Sequence, residues 1–143
     1  MSAKNFQLTI LSAEKELFAD QVESVTLPTE AGEITALAQH TPIFANLKAG
    51  ELMIRAKGKQ EFLFVGGGVM EFTPRNECRI LADVAERIEE IDLQKAEEAR
   101  LRAERELGQA KSGPEVFAAK AALFQALARI HAAEKNRKLR GRH

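Results

Sequence analysis

The chain changes character once, near residue 85, and that change limits what it can fold into. Before it, short apolar runs alternate at period two and are cut by glycine and proline. After it, helix formers run almost unbroken. Phe6, Leu8 and Ile10 alternate with Gln7 and Thr9, which places one apolar face on a strand. Val25 to Leu27, Ile34 to Leu37, Leu52 to Arg55, Phe62 to Val65, Val69 to Phe72 and Arg79 to Leu81 continue the series. Gly32, Gly50, Gly58, Gly66-Gly67-Gly68 and Pro74 punctuate it. Strands this short and this closely spaced predict a small antiparallel sandwich or barrel. The triple glycine lies between two apolar strands and has no following Lys or helix. It therefore reads as a bulge, a sharp corner or a close backbone contact, not a phosphate loop.

The later part predicts two helices. From about Asp92 to Ala110 only Gly108 interrupts good helix formers, and Asp92 can cap the start. Ser112 and Glu115 have capping-box spacing, and Pro114 suits a first turn. A second helix then runs from about Glu115 to Lys138. Val116, Leu123, Leu127 and Ile130 fall on one stripe, with Phe117, Ala121, Phe124 and Ala128 beside it. A short loop makes the helices antiparallel neighbours. The expected fold class is α+β. A β-sandwich over residues 1–87 precedes an antiparallel two-helix hairpin over residues 88–143. A hairpin this small buries little surface, so it either docks on the β domain or waits for a partner. That marginality is a first hint of a conformational switch.

Charge follows the same division. The first 85 residues carry 8 basic and 11 acidic side chains, the last 58 carry 13 and 10, so a net of −3 faces a net of +3. The whole chain balances at 21 of each sign, which argues against general nucleic-acid binding. A single Cys78 excludes a disulfide framework and a multi-cysteine zinc site. No apolar run reaches the roughly 20 residues of a membrane span, so no direct membrane insertion is expected. Met1 to Asn5 lacks the apolar stretch of a signal peptide. No nucleophile elbow, HExxH, Walker motif or metal-ligand set is visible, so neither an enzyme nor a metal site is expected.

Three features remain as candidates. His40 precedes Thr41-Pro42 in an extended segment and reads as a hydrogen-bonded structural or interface residue. The tail from Lys135 through Arg137, Lys138 and Arg140 is rich in bases. It is either a solvated terminus or a docking strip for an acidic surface. Asp92 and Arg129 are equidistant from the loop midpoint, which predicts them at one level of the hairpin, with Lys95 and Arg102 on the face of Asp92. That set could hold an anionic ligand or form an interhelical ion-pair network.

These segments together resemble the epsilon subunit of F-type ATP synthases, equivalent to the mitochondrial delta subunit. Leu11 to Phe18 is similar to the family's opening strand and turn. Gly32-Glu33-Ile34, His40-Thr41-Pro42-Ile43 and Leu47-Lys48-Ala49-Gly50 follow its most recognisable stretch. Glu61-Phe62, Gly66 to Glu71 and Ile80 to Glu86 match its later strands and junction. Thr35 stands where the family usually has Gly, Ala38-Gln39 where it has Pro-Gly, and Ala49 where it has Pro. The resemblance implies a non-catalytic rotor subunit at the cytoplasmic face of a bacterial inner membrane. Its sandwich would bind the gamma subunit and the c-ring through Glu30, Gly32, Glu33, His40 and Pro42. Its hairpin would inhibit ATP hydrolysis when extended into the catalytic head of alpha and beta subunits. Lys135, Arg137, Lys138 and Arg140 would there meet acidic beta-subunit residues. No cofactor is required. Some members bind ATP in the hairpin, and Glu86, Asp92, Arg102 and Arg129 fall on the matching positions. Lys95 and Gln125 replace two of the family's arginines, which leaves ATP as a weak regulatory ligand at most. The alternatives are a nucleotide-sensing module and a stand-alone hairpin adaptor.

Overall fold

The computed structural model describes residues 4–141, with side chains as far as Lys138. The chain divides into two compact units, Met1–Arg87 and Ile88–His143.

The first unit is built from β1 (Phe6–Ser12), β2 (Glu16–Val22), β3 (Ser24–Thr29), β4 (Gly32–Leu37), β5 (Ile43–Ala56), β6 (Lys59–Thr73), β7 (Glu77–Ala82) and β8 (Ala85–Arg87). Hydrogen-bonded neighbours run β2-β1-β7-β6-β5-β3-β4, with β8 on β6. Among the described residues only β1 and β7 pair in parallel. Two strands are long. β5 has 14 residues and β6 has 15, and they pair from Ile43↔Phe72 to Ala56↔Lys59. The first half of β5 and second half of β6 continue into β7, β1 and β2. The other halves continue into β3 and β8. The two layers of the sandwich thus share both long strands. Their inner faces meet in a core that includes Phe6, Leu8, Ile10, Leu27, Leu52, Ile54, Leu63, Met70, Phe72 and Ile80. The alternation in β1 puts its apolar face inside, as its sequence predicts.

The triple glycine makes the bend of β6. Gly67 and Gly68 have φ of 99° and 132°. A Cβ on Gly68 would fall on the Leu81 carbonyl oxygen and lie 2.8 Å from Ala82 Cα. Only glycine lets β6 approach β7 this closely. Corner and close contact, two of the sequence expectations, coincide here.

Strands β2, β5 and β6 differ from the sequence reading. β2 is a strand of its own beyond the opening strand and turn, and its exposed Glu16, Ala19 and Asp20, on an edge, mask its alternation in the sequence. The segments at Leu52, Phe62 and Val69 belong to only two strands, because continuous pairing carries β5 and β6 through Ala49, Gly50 and the glycines.

At the β4–β5 link Gln39 holds a left-handed φ of 64°, and its N–H donates to Asn76 Oδ1 at 2.6 Å. A side chain at this φ is strained where glycine is not. Gln39→Gly is expected to stabilise the chain by about 0.5 kcal/mol after the added freedom of the unfolded state is subtracted. A rise in the urea midpoint at constant m-value would show it.

The second unit opens on a 3₁₀ turn, Ile88–Glu90, and continues as α1 (Leu93–Gln109) and α2 (Gly113–Gly141). Asp92 caps α1 by accepting the Lys95 N–H at 3.2 Å. Ser112 Oγ accepts the Glu115 N–H at 3.2 Å and starts α2. The seam between the helices is made of small side chains. Ala96 and Ala103 of α1 are buried, as are Ala119, Ala126, Ile130 and Ala133 of α2. This corrects the expected stripe. Leu127, Phe117 and Phe124 are 48%, 77% and 51% exposed, because heptad-spaced alanines bring the α-helical backbones together and leave the larger groups outside.

Candidate functional site

Two surfaces carry the residues singled out by sequence. On the sandwich, Glu30 lies in the β3–β4 turn, and Gly32 and Glu33 open β4. Thr29 Oγ1 accepts the Ala31 N–H at 3.2 Å and donates to the Gly32 carbonyl. The Glu30 N–H donates to the Asn46 carbonyl at 3.0 Å and holds the turn beside β5. Both carboxylates are exposed. His40 and exposed Pro42 lie just before the first residue of β5. The His40 ring packs on Phe72 with centroids 5.4 Å apart, and Nδ1 lies 2.6 Å from the Thr41 carbonyl, so Nδ1 is the donor. The two groups therefore flank the first half of β5. Thr35 of edge strand β4 shares a hydroxyl hydrogen bond of 3.0 Å with Thr26, so a side chain is accommodated at that position.

Sequence reasoning missed an apolar strip on the outer face of the same layer. Leu11 of β1 pairs with Leu81 of β7, which pairs with Val69 of β6. Leu11 and Leu81 are exposed, and Phe44 near the start of β5 is exposed more fully, at 67%. The signal was present in β7. Cys78, Ile80 and Ala82 point inward, so the outward Leu81 breaks the alternation expected of a solvated face. Cys78 itself is buried, and desolvation pushes its thiol up to about 12, so it is a protonated core group at neutral pH.

The second surface is a groove of about 230 Å³ within the hairpin. Ala99, Arg102, Ala103 and Glu106 line one side, and Ala122, Gln125, Ala126 and Arg129 line the other. Arg102 and Arg129 are thus brought together as the sequence suggested. Asp92 and Lys95 do not line the groove. Asp92 is committed to the helix cap, and the groove opposes Arg129 to residues about two to four turns further along α1. The levels shift because the first buried residue of α2 is Ala119, so its opening turns lie beyond the seam. Glu86 belongs to β8 of the first unit. Glu106 and Ala122 were not foreseen, since the register of an alanine seam is hard to read among many alanines. At the far end of α2, Lys135, Arg137 and Lys138 are exposed. The Arg140 side chain lies outside the described residues. Among the described residues no three His, Cys, Asp or Glu side chains cluster as metal ligands, and no helix is long and apolar enough to cross a membrane.

Comparison with known proteins returns the same two units. Residues 5–88 match the family model of the ATP synthase delta/epsilon chain β-sandwich domain, and residues 89–134 that of its long α-helix domain. The ATP synthase epsilon chain of Delftia acidovorans is 39% identical over 132 residues, spanning 92% of this chain and 95% of that one. The epsilon chain of Dehalococcoides mccartyi is 40% identical over 134 residues, spanning 92% and 94%. A chain from the mitochondrial ATP synthase of Euglena gracilis shares the fold with a TM-score of 0.73 at 24% identity, covering 87% of this chain and 79% of that one. A chain from the Tetrahymena thermophila mitochondrial ATP synthase central stalk and c-ring gives a TM-score of 0.69 at 16% identity, with 90% and 96% covered.

Proposed function

This chain belongs to the ATP synthase delta/epsilon chain family, and from that premise we propose that it is a non-catalytic central-stalk subunit coupling the c-ring to gamma and restraining ATP hydrolysis. The observation that carries the reading is that both family domains match in order over residues 5–134. The surfaces support it. The strip Leu11–Leu81–Val69, with Phe44 nearby, is the kind of contiguous apolar patch that marks a protein contact, and it is assigned to gamma. Glu30, Gly32 and Glu33, with His40 and Pro42, flank the first half of β5 and are assigned to the rotor side, toward the c-ring. The subunit would sit peripherally on the cytoplasmic face of a bacterial inner membrane.

The α2 tail supplies the restraining contact. Lys135, Arg137, Lys138 and Arg140 would meet acidic residues of the beta subunits and steer the hairpin into the catalytic head. The test is ATP hydrolysis by the cognate catalytic head, with and without the full chain. The full chain should lower the rate. Neutralising the four bases to glutamine should raise the concentration for half-inhibition about tenfold, the scale of lost electrostatic steering, and flatten its salt dependence. A chain that binds gamma but leaves hydrolysis unchanged would reject the inhibitory half of the proposal.

The groove holding Arg102 and Arg129 favours a second reading, ATP as a regulatory ligand. Its about 230 Å³ falls short of the roughly 300–1,000 Å³ of ordinary ligand pockets, and Lys95 stands outside it. A lysine also cannot supply the bidentate geometry of arginine. ATP therefore binds weakly or not at all, and micromolar affinity in a calorimetric titration would overturn this.

A further inference from the structure

The β6–β7 loop, Pro74-Arg75-Asn76, is complete without the side chain at its end. The Asn76 N–H donates to the Thr73 carbonyl at 3.2 Å, and the Arg75 N–H donates to Thr73 Oγ1 at 3.2 Å. Pro74 presets the turn, and Asn76 closes the loop with a left-handed φ of 60° before the pair Thr73↔Glu77. Glycine adopts such a φ at no steric cost. The loop therefore asks for a permissive backbone, not for an amide.

The amide is used elsewhere. Asn76 Oδ1 accepts the Gln39 N–H at 2.6 Å, and Asn76 Nδ2 donates to the Asn5 carbonyl at 2.9 Å. A backbone N–H can only donate and a carbonyl can only accept, so one orientation of the amide serves both. Three segments distant in the chain are thus joined by one side chain: the approach to β1, the β4–β5 link and the β6–β7 loop.

Gln39 is where the β4–β5 link needs holding. Its φ of 64° is left-handed, and such a conformation persists only where the surroundings over-determine it. The His40 N–H donates to the Leu37 carbonyl at 3.1 Å, which closes a turn but leaves the turn free to move as a body. The Phe72 ring supports the imidazole from one side but gives no partner to the Gln39 N–H. Thr41 and Pro42, which follow, are exposed. The bond from Gln39 to Asn76 is the directional tie between this link and the neighbouring loop.

We propose that Asn76 is the positioning residue of the His40–Pro42 link: its amide fixes Gln39 against the β6–β7 loop, so the link meets its rotor partner already ordered. Order present before contact spares the ordering cost on binding. This rests on the assignment of the link to the rotor side.

The test follows amide exchange over residues 37–43 and the His40 ring resonances in the full chain at neutral pH. Binding of the same variants to the cognate gamma and c-ring is measured beside it. Asn76→Gly keeps the left-handed backbone and removes both amide bonds. The Gln39 amide should then exchange about fivefold faster or more, the scale of one lost neutral hydrogen bond. The His40 ring resonances should move toward those of an exposed imidazole, and rotor binding should weaken about threefold or more. Asn76→Asp still accepts from Gln39 but cannot donate to Asn5. It should keep Gln39 exchange and rotor binding within about twofold of the parent, while the Asn5 end loosens. Gly58→Ala, at the opposite end of the β5–β6 ladder from Ile43↔Phe72, controls for lost stability alone and should leave both readouts parent-like. Parent-like Gln39 exchange in Asn76→Gly would overturn the proposal, whatever the binding. Faster exchange with unchanged binding would uphold Asn76 as the anchor and overturn the rotor assignment of the link. Equal disturbance of Gln39 in the Asp and Gly variants would overturn the role given to Oδ1.

Discussion

Gly68→Ala should unfold the sandwich under conditions where the parent chain is stable. The new methyl group would fall on the Leu81 carbonyl oxygen and press on Ala82 Cα at 2.8 Å. Both are backbone atoms of β7, so no side-chain rotation can make room. The left-handed φ of 132° adds strain at the same residue. Relief requires pulling β6 away from β7, and the register Gly68↔Ala82 to Thr73↔Glu77 goes with it. The expected loss exceeds about 4 kcal/mol, a large part of the stability of a small domain. Gly58→Ala is the natural control. Its φ of 75° is also left-handed, but nothing lies within 4 Å, so only conformational strain of about 1 kcal/mol is expected. Circular dichroism melts of the two variants would separate steric overlap from backbone strain. A Gly68→Ala chain as stable as the Gly58→Ala chain would contradict the packing.

Phe72→Ala is expected to cost about 3–5 kcal/mol, the usual range for removing a buried ring. Phe72 is 1% exposed and packs against Phe6 with ring centroids 5.3 Å apart. It also has a local role. The same ring supports His40, so its removal frees the His40–Pro42 link. Two readouts should move together: the urea midpoint, and amide exchange over residues 39–43. Because that link is assigned to the rotor side, binding to gamma and the c-ring should weaken even at temperatures where the variant remains folded. Exchange at those amides equal to that of the parent chain would show that Phe72 does not position His40.

Much of this fold was legible because its local signals agree. Strand β1 alternates cleanly, Asp92 and Ser112 cap the helices as their spacing suggests, and the triple glycine marks a corner. Elsewhere, partners supplied what propensity lacked. The stretch Ala45 to Glu51 has few β-branched or aromatic residues, and its pairing with β6 holds it extended. Strand β2 hides behind its exposed acids because an edge needs only one good face. The hairpin is the case where hydrophobicity misled. The large apolar residues looked like the core, but alanine allows closer helix contact, so Phe117 and Phe124 remain outside. The groove was half legible for the same reason. Arg102 and Arg129 stood out as charges, whereas the register that unites them depends on alanines that look alike.

The shared strands β5 and β6 also have a mechanical consequence. In a sandwich of separate sheets, a sideways load passes between layers only through side-chain contacts, which can slip. Here two continuous strands of 14 and 15 residues run through both layers. Each is about 46–50 Å of covalent chain at strand rise. A twisting force applied at Phe44 and Leu81, the strip proposed above to meet gamma, reaches the β3 side along the peptide backbone itself. Thirteen cross-strand pairs between the two strands keep them from sliding past each other. The domain is in this sense a single stiff beam folded over its own core, and a part that must pass torque without storing much of it gains by such a build.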